Sequence, residues 1–153
     1  MILLFFGQPA SGKTTLADAF VKAMDEQNYF NNFIRMDGDQ WRKISDNNDY
    51  SRDGRIANLK SAFTAAKFLD NEGFTPVLSF ISPYEELRQY LSNGTELMMI
   101  YLTCSHDRGR NSYFAIDFEL PSQNCMRIDT SDNTIDYCVS KVIKYFLNFR
   151  KTV

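Results

Sequence analysis

The sequence predicts an α/β domain in which a mainly parallel sheet of about five strands is flanked by helices, in three layers. Two observations carry this. Short apolar runs recur at residues 2–6, 33–36, 76–81, 97–102 and 125–128, and stretches with helical spacing lie between several of them. Four polar clusters (GQPASGKT, DGD, SPY and the loop after Leu102) each follow an apolar run. A parallel sheet delivers its strand ends, and hence such clusters, to one edge. The 153 residues suit a single domain spanning 1–153, and no repeat or Pro/Ser-rich linker divides them.

Taken in order, ILLFF at residues 2–6 fits a buried strand. Residues 16–24 carry apolar or small residues at helical spacing. Residues 27–32 form a mostly polar turn that includes Tyr29 and Phe30, and 33–36 is the second strand. Residues 52–71 place Ile56, Leu59, Ala62, Phe63 and Ala66 on a helix face, and Gly73 stops it. A strand at 76–81 and a short helix at 85–91 precede LMMIYL at 97–102, another buried strand. The polar stretch 105–124 reads as a loop, lid-like over about 104–124. A last strand at 125–128 and a helix with Ile135, Val139, Val142 and Ile143 on one face close the chain.

Between the first strand and the first helix stands Gly7, then four residues, then Gly12, Lys13 and Thr14. This is the spacing of a phosphate-binding loop, and it makes the fold a three-layer P-loop NTPase fold. A phosphate chain needs donors from several directions. The glycines let main-chain N–H groups turn inward, and the new helix adds its own free N–H groups. Gly7, Gln8, Pro9, Ala10, Ser11, Gly12, Lys13, Thr14 and Thr15 are therefore the candidate ATP site. Lys13 reaches the β- and γ-phosphates and the Thr14 hydroxyl serves Mg²⁺.

Asp37 and Asp39 end the second run. Two residues apart in extended backbone, both carboxylates are expected on one side, facing the phosphates. They are the best candidates for the metal side, Asp37 with Thr14, and for handling an attacking hydroxyl. Arg42, Arg55 and Asn58 follow; an arginine fork suits phosphate or sulfate. Trp41 and Tyr50 are candidates for base stacking or for the core. Ser82 is a candidate nucleophile, phosphate-side hydroxyl or simple loop residue.

Bulk composition narrows the classes. With 44% hydrophobic and 24% charged residues the chain is globular rather than disordered. A net charge of −2 supplies no overall basic footprint for a long nucleic acid. The first apolar run is too short to span a membrane and lacks the basic flank of a signal peptide. Cys104, Cys125 and Cys138 show no C-x-x-C spacing and read as reduced cytoplasmic thiols. His106, the single histidine, argues against a histidine-built zinc site or a Ser–His triad and reads as a solvated loop residue.

Four segments extend the phosphate loop into a larger pattern. DGDQWR (37–42), YSRDGRIAN (50–58), FISPY (80–84) and FAIDFELP (114–121) occur in the order found in adenylylsulfate kinases, which the chain resembles from Gly7 to the IDT at 128–130. That family phosphorylates the 3′-hydroxyl of adenylyl sulfate (APS) with ATP. The resemblance implies that Asp37 lies by the metal and the acceptor hydroxyl, with Asp39 in support. Arg42, Arg55 and Asn58 hold the phosphosulfate, beside Ile81. Tyr50, where the family has Phe, and Phe114 enclose the adenine. Ser82 matches a serine known as a phosphoserine site and is read here as positioning the acceptor. A homodimer is implied as well.

Three departures stand out. Glu85 replaces the arginine of SPYR, the lid is short and has lost its lysines, and FTGID has become FAID. Arg108 and Arg110 are the candidates to replace the lost charge at ATP. The departures keep a rival acceptor open, such as cytidine diphosphoramidate. A non-catalytic nucleotide-binding module is a reading of another class. A polynucleotide 5′-kinase is weakened by the acidic balance.

Overall fold

The computed structural model describes residues 1–29, 32–122 and 124–151. Phe30, expected in the turn before the second strand, lies outside the described residues. Five strands, β1 (Ile2–Phe6), β2 (Phe33–Asp37), β3 (Thr75–Phe80), β4 (Leu97–Thr103) and β5 (Cys125–Asp129), form one sheet in the order β2-β3-β1-β4-β5. Every pairing is parallel. Five helices pack around it: α1 (Lys13–Glu26), α2 (Gly38–Ile44), α3 (Arg52–Asn71), α4 (Glu85–Ser92) and α5 (Ile135–Phe149). No described helix is long and apolar enough to cross a membrane.

β1 sits in the centre, and all five of its residues are buried, which is why its sequence is apolar without alternation. Its side chains still alternate in direction. Leu3 and Phe5 join the core beneath α1 and α5, while Ile2, Leu4 and Phe6 join the one beneath α3 and α4. On the first face Phe20 of α1 is fully buried and meets the rings of Phe5, Phe33 and Phe146 at 5.5–6.1 Å between centroids.

The helix starts follow from local chemistry. Ser51 and Thr134 accept from the amides of Gly54 and Tyr137 and so cap α3 and α5. α2 is the element that periodicity missed. Its seven residues include none that is buried, so no apolar stripe marks it. It forms because Asp37 caps it, accepting from the Asp39 and Gln40 amides. This overturns the extended-backbone argument for Asp37 and Asp39: only Asp37 belongs to the strand, and Asp39 lies in the first turn of α2. The expected loop 105–124 is irregular among its described residues, apart from one short 3₁₀ turn at Asn111–Tyr113.

Phe20→Ala removes the ring that joins α1 to α5 and to the β2 edge. It should cost about 3–5 kcal/mol, seen as a lower urea midpoint with an unchanged denaturant slope.

Candidate active site

The carboxyl ends of β1, β2 and β3 open onto one cavity of about 980 Å³. The phosphate loop forms its floor. Gly7 adopts φ +148° and passes so close to β4 that a Cβ would strike the Leu102 carbonyl oxygen. Gly12 adopts φ +92° as the residue preceding α1. Both glycines thus supply the curl expected of them. Lys13 Nζ donates across the loop to the Gln8 carbonyl at 2.7 Å. Burial pulls its pKa down to about 8, against the opposing pull of Asp39 and Asp37 and with the help of Arg110.

Asp37 gathers donors from three elements. Its Oδ2 accepts from Thr14 Oγ1 of α1 and from Ser79 Oγ of β3, each at 2.7 Å. Its Oδ1 accepts from the Asp39 and Gln40 amides at 3.0 and 3.4 Å. Burial works the other way, but the bonds from Ser79 and Thr14 and the two amides bring its pKa below the ordinary carboxylate value. Arg35 donates to Ser79 Oγ at 3.0 Å and is itself paired with Asp18 at 2.7 Å. Ser79 and Arg35 were not foreseen as site residues. The signal was a polar side chain inside each of two strands, and Ser79 stands directly opposite Asp37 in register. Asp39 also lines the cavity, carried there by the helix turn.

Arg42, Tyr50, Arg55 and Asn58 line the far wall with Ile81 and Ser82. Arg42 donates to the carbonyls of Asn47 and Asp49 and to Asn47 Oδ1, at 2.9–3.1 Å, and lies 4.3 Å above the Tyr50 ring. Arg55 approaches Asp117 at 3.7 Å, while its buried Nε has no hydrogen-bond partner. Asn58 is buried. Ser82 takes φ +46°, and its buried hydroxyl also lacks a partner. Buried polar atoms are normally satisfied; among the described residues the hydroxyls of Ser11 and Tyr84 are unpartnered as well, and of these four residues Arg55 and Ser82 line the cavity. Trp41 instead bonds Ser61 of α3 and packs on the second core, the structural option of its two.

Three placements differ from expectation. Phe114 lies outside the main cavity, lining a small neighbouring pocket of about 110 Å³, and Tyr113 lines the main one. Gly7, Gln8 and Ser11 are likewise set back from the main cavity, whereas Pro9, Ala10, Gly12, Lys13, Thr14 and Thr15 line it. Glu85 turns away from the acceptor wall and pairs with Arg88 at 2.6 Å. Arg88, which sequence reading passed over, is 1% exposed and donates to the carbonyls of Ser82 and Glu119 at 2.6 and 2.8 Å. Arg108 donates to the carbonyls of Ala10 and Thr130, and Arg110 lies over the Tyr113 ring, both at the cavity edge. His106 is exposed and bonds Asp132 at 2.9 Å.

Comparison with known proteins bears on the family and the fold. The sequence profile of the adenylylsulphate kinase family matches residues 1–113. An adenylyl-sulfate kinase of Marinobacter nauticus is 30% identical over 166 residues, covering 94% of this chain and 82% of the relative. A cytidine diphosphoramidate kinase of Campylobacter jejuni is 33% identical over 107 residues, covering 67% and 60%. Among solved structures, the Mycobacterium tuberculosis APS kinase in complex with AMPPNP and APS superposes with a TM-score of 0.80 at 19% identity, over 94% of this chain and 95% of that one. A hexameric APS kinase from Thiobacillus denitrificans does so at 0.73 and 21%, over 93% and 28%. At these identities the two structures establish the shared fold.

An ammonium with a pKa near 8 is charged below that pH and neutral above it. A phosphate chain prefers the charged form. ADP affinity, measured by calorimetry from pH 6.5 to 9.5, should therefore fall as pH rises through about 8, approaching ~tenfold per pH unit. Lys13→Met should abolish that dependence.

Proposed function

The chain belongs to the adenylylsulphate kinase family, and from that membership we propose that it transfers the γ-phosphoryl group of ATP to the 3′-hydroxyl of adenylyl sulfate. Enzymes of this family are phosphotransferases acting on a hydroxyl group. One observation carries the substrate reading. A single cavity joins the phosphate loop, the Asp37 carboxylate and the Arg55–Ser82 wall with its unpartnered polar atoms.

In this reading ATP lies on the phosphate loop, and Lys13 turns from the Gln8 carbonyl to the phosphates. Arg108 and Arg110 lie toward the nucleotide. Arg42, Arg55 and Asn58 take the phosphosulfate, Tyr50 flanks the base, and Ser82 with Ile81 positions the acceptor. The depressed pKa of Asp37 makes it a weak base. Its part is to orient the hydroxyl, with Asp39 adding negative potential beside Lys13. Little covalent work is then asked of the protein; rate comes from alignment and charge.

Mg²⁺ fits the residues present. Among those described, no group of three or more His, Cys, Asp or Glu side chains can hold a metal. The Thr14 hydroxyl and Asp37 carboxylate are hard oxygen donors 2.7 Å apart. An Mg²⁺ held by them would draw on phosphates and water for its remaining ligands, as this ion commonly does. When bound it neutralises charge on the transferring group.

The reading places the enzyme in the cytoplasm, in keeping with Cys104, Cys125 and Cys138, all free thiols. It takes small molecules and not nucleic acid or membrane as partners. The homodimer implied by the resemblance is carried with it, although one relative is named as hexameric; light scattering in solution decides between the two.

A second reading is phosphorylation of a cytidine-diphosphate-linked acceptor. The 33% identity to the cytidine diphosphoramidate kinase favours it. Glu85 no longer supports it, because its carboxylate is engaged by Arg88. An ADP-release assay with both acceptors separates the two. Turnover with APS alone supports the first, and turnover with the cytidine compound alone replaces it. ATP binding with no transfer to any acceptor would indicate a non-catalytic module.

Lys13→Ala should lower kcat by at least ~10²-fold, the scale of one lost transition-state donor. Arg55→Ala should raise the acceptor KM while leaving the ATP KM near its original value; steady-state kinetics with each substrate varied tests the split.

A further inference from the structure

The loop that follows β4 meets the phosphate loop at two places. At the first, Arg108 donates to the Ala10 carbonyl at 3.1 Å and to the Thr130 carbonyl at 2.9 Å. At the second, Gln8 and Ala115 form a reciprocal pair. Gln8 Nε2 donates to the Ala115 carbonyl at 2.9 Å, and the Ala115 amide donates to Gln8 Oε1 at 3.0 Å. The side-chain amide thus acts as the peptide group of a neighbouring strand would. Ala115 is 1% exposed and Gln8 is half-buried, so the pair is partly screened from water. In such surroundings a lost partner leaves a buried amide or carbonyl unsatisfied.

Gln8 is engaged at both ends. Its own carbonyl holds Lys13 Nζ at 2.7 Å, while its side chain holds the loop. Between the two anchors, residues 109–114 carry Arg110 and Tyr113 to the mouth of the main cavity. The Arg110 guanidinium stacks 5.3 Å from the Tyr113 centroid, and its charge is felt at Lys13. Ala115 also stands where the chain is one residue shorter than the FTGID pattern. The anchor therefore falls at this one-residue difference, at the end of the short loop.

We propose that Gln8 is a positioning residue: its amide pins the shortened loop at Ala115, so that Arg110 is presented to the phosphates held by the loop below. The nucleotide part of this rests on the ATP-dependent reading given above; the anchor itself does not. The chemistry is specific to glutamine. Leucine fills the same space but offers neither donor nor acceptor. Glutamate keeps an acceptor for the Ala115 amide but sets its second oxygen against the Ala115 carbonyl.

The test uses the full chain with Gln8→Leu and Gln8→Glu. Trypsin cleavage after Arg108 and Arg110 under native conditions should accelerate about tenfold in Gln8→Leu and less in Gln8→Glu, the scale of one or two lost hydrogen bonds. Urea unfolding, followed by Trp41 fluorescence, separates this from global destabilisation. If Gln8→Leu does not fold, Gln8→Glu carries the same comparison. For the nucleotide part, Gln8→Leu should raise the ATP KM about fivefold, and it should add nothing in an Arg110→Ala background, because residues acting through one another are not additive. An unchanged cleavage rate, once corrected for stability, overturns the anchor whatever the protein phosphorylates. Faster cleavage with an unchanged ATP KM, or with additive effects in the double variant, overturns the action through Arg110.

Discussion

The site depends on how one carboxylate is held. Asp37 ends β2, caps α2, and accepts from Thr14 at the start of α1 and from Ser79 near the end of β3. Three segments of the sheet edge are therefore registered on two oxygen atoms. Bonds to an ionised carboxylate are roughly twice as strong as neutral ones, and the one from Ser79 is partly buried. The same bonds keep Asp37 ionised beside Lys13, whose ammonium burial alone would discourage. Asp39 and Asp37 in turn favour the charged form of Lys13 at the spot where a phosphate chain is expected.

Much of the basic equipment is engaged by the fold itself. Arg42 is held by the carbonyls of its own loop, Arg55 faces Asp117, and Arg108 holds the phosphate loop. Such prior fixing removes part of the ordering cost that flexible side chains would otherwise meet on binding. Arg88 shows the same economy one step further out. It is enclosed by Phe6 and Phe118 and ties the Ser82 carbonyl, in its left-handed turn, to Glu119 beyond the loop. Among the described residues, the buried Nε of Arg55 and hydroxyls of Ser11, Ser82 and Tyr84 have no hydrogen-bond partner, and Arg55 and Ser82 belong to the wall assigned to the acceptor.

Strands and long helices were legible because their signals are local. β1 declares itself by five apolar residues, and α3 by its apolar spacing and the Gly73 stop. α2 was not legible: it buries nothing, and its stability comes from a cap whose carboxylate also serves two other elements. The error about Asp39 followed directly, since strand geometry was extended into a helix. It still lines the cavity, by a different route from the one expected. Glu85 is a charge change beside the acceptor segment in sequence, but in the fold its carboxylate pairs with the buried Arg88. Tyr113 rather than Phe114 lines the main cavity, and the chain just beyond them is bonded to Gln8 at Ala115.

By itself the sequence determined the three-layer parallel sheet, the phosphate loop and the order of motifs shared with adenylylsulfate kinases. Each is written in periodicity or in contiguous residues, where backbone geometry follows from neighbours along the chain. The tertiary structure alone decided that Ser79 and Arg35 brace Asp37, that Arg88 absorbs Glu85, and that Gln8 grips Ala115. Those contacts join residues 3 to 107 positions apart. Most of them exist only once the strands lie in register, and even the short-range pair depends on the burial of Arg88 within the packed fold.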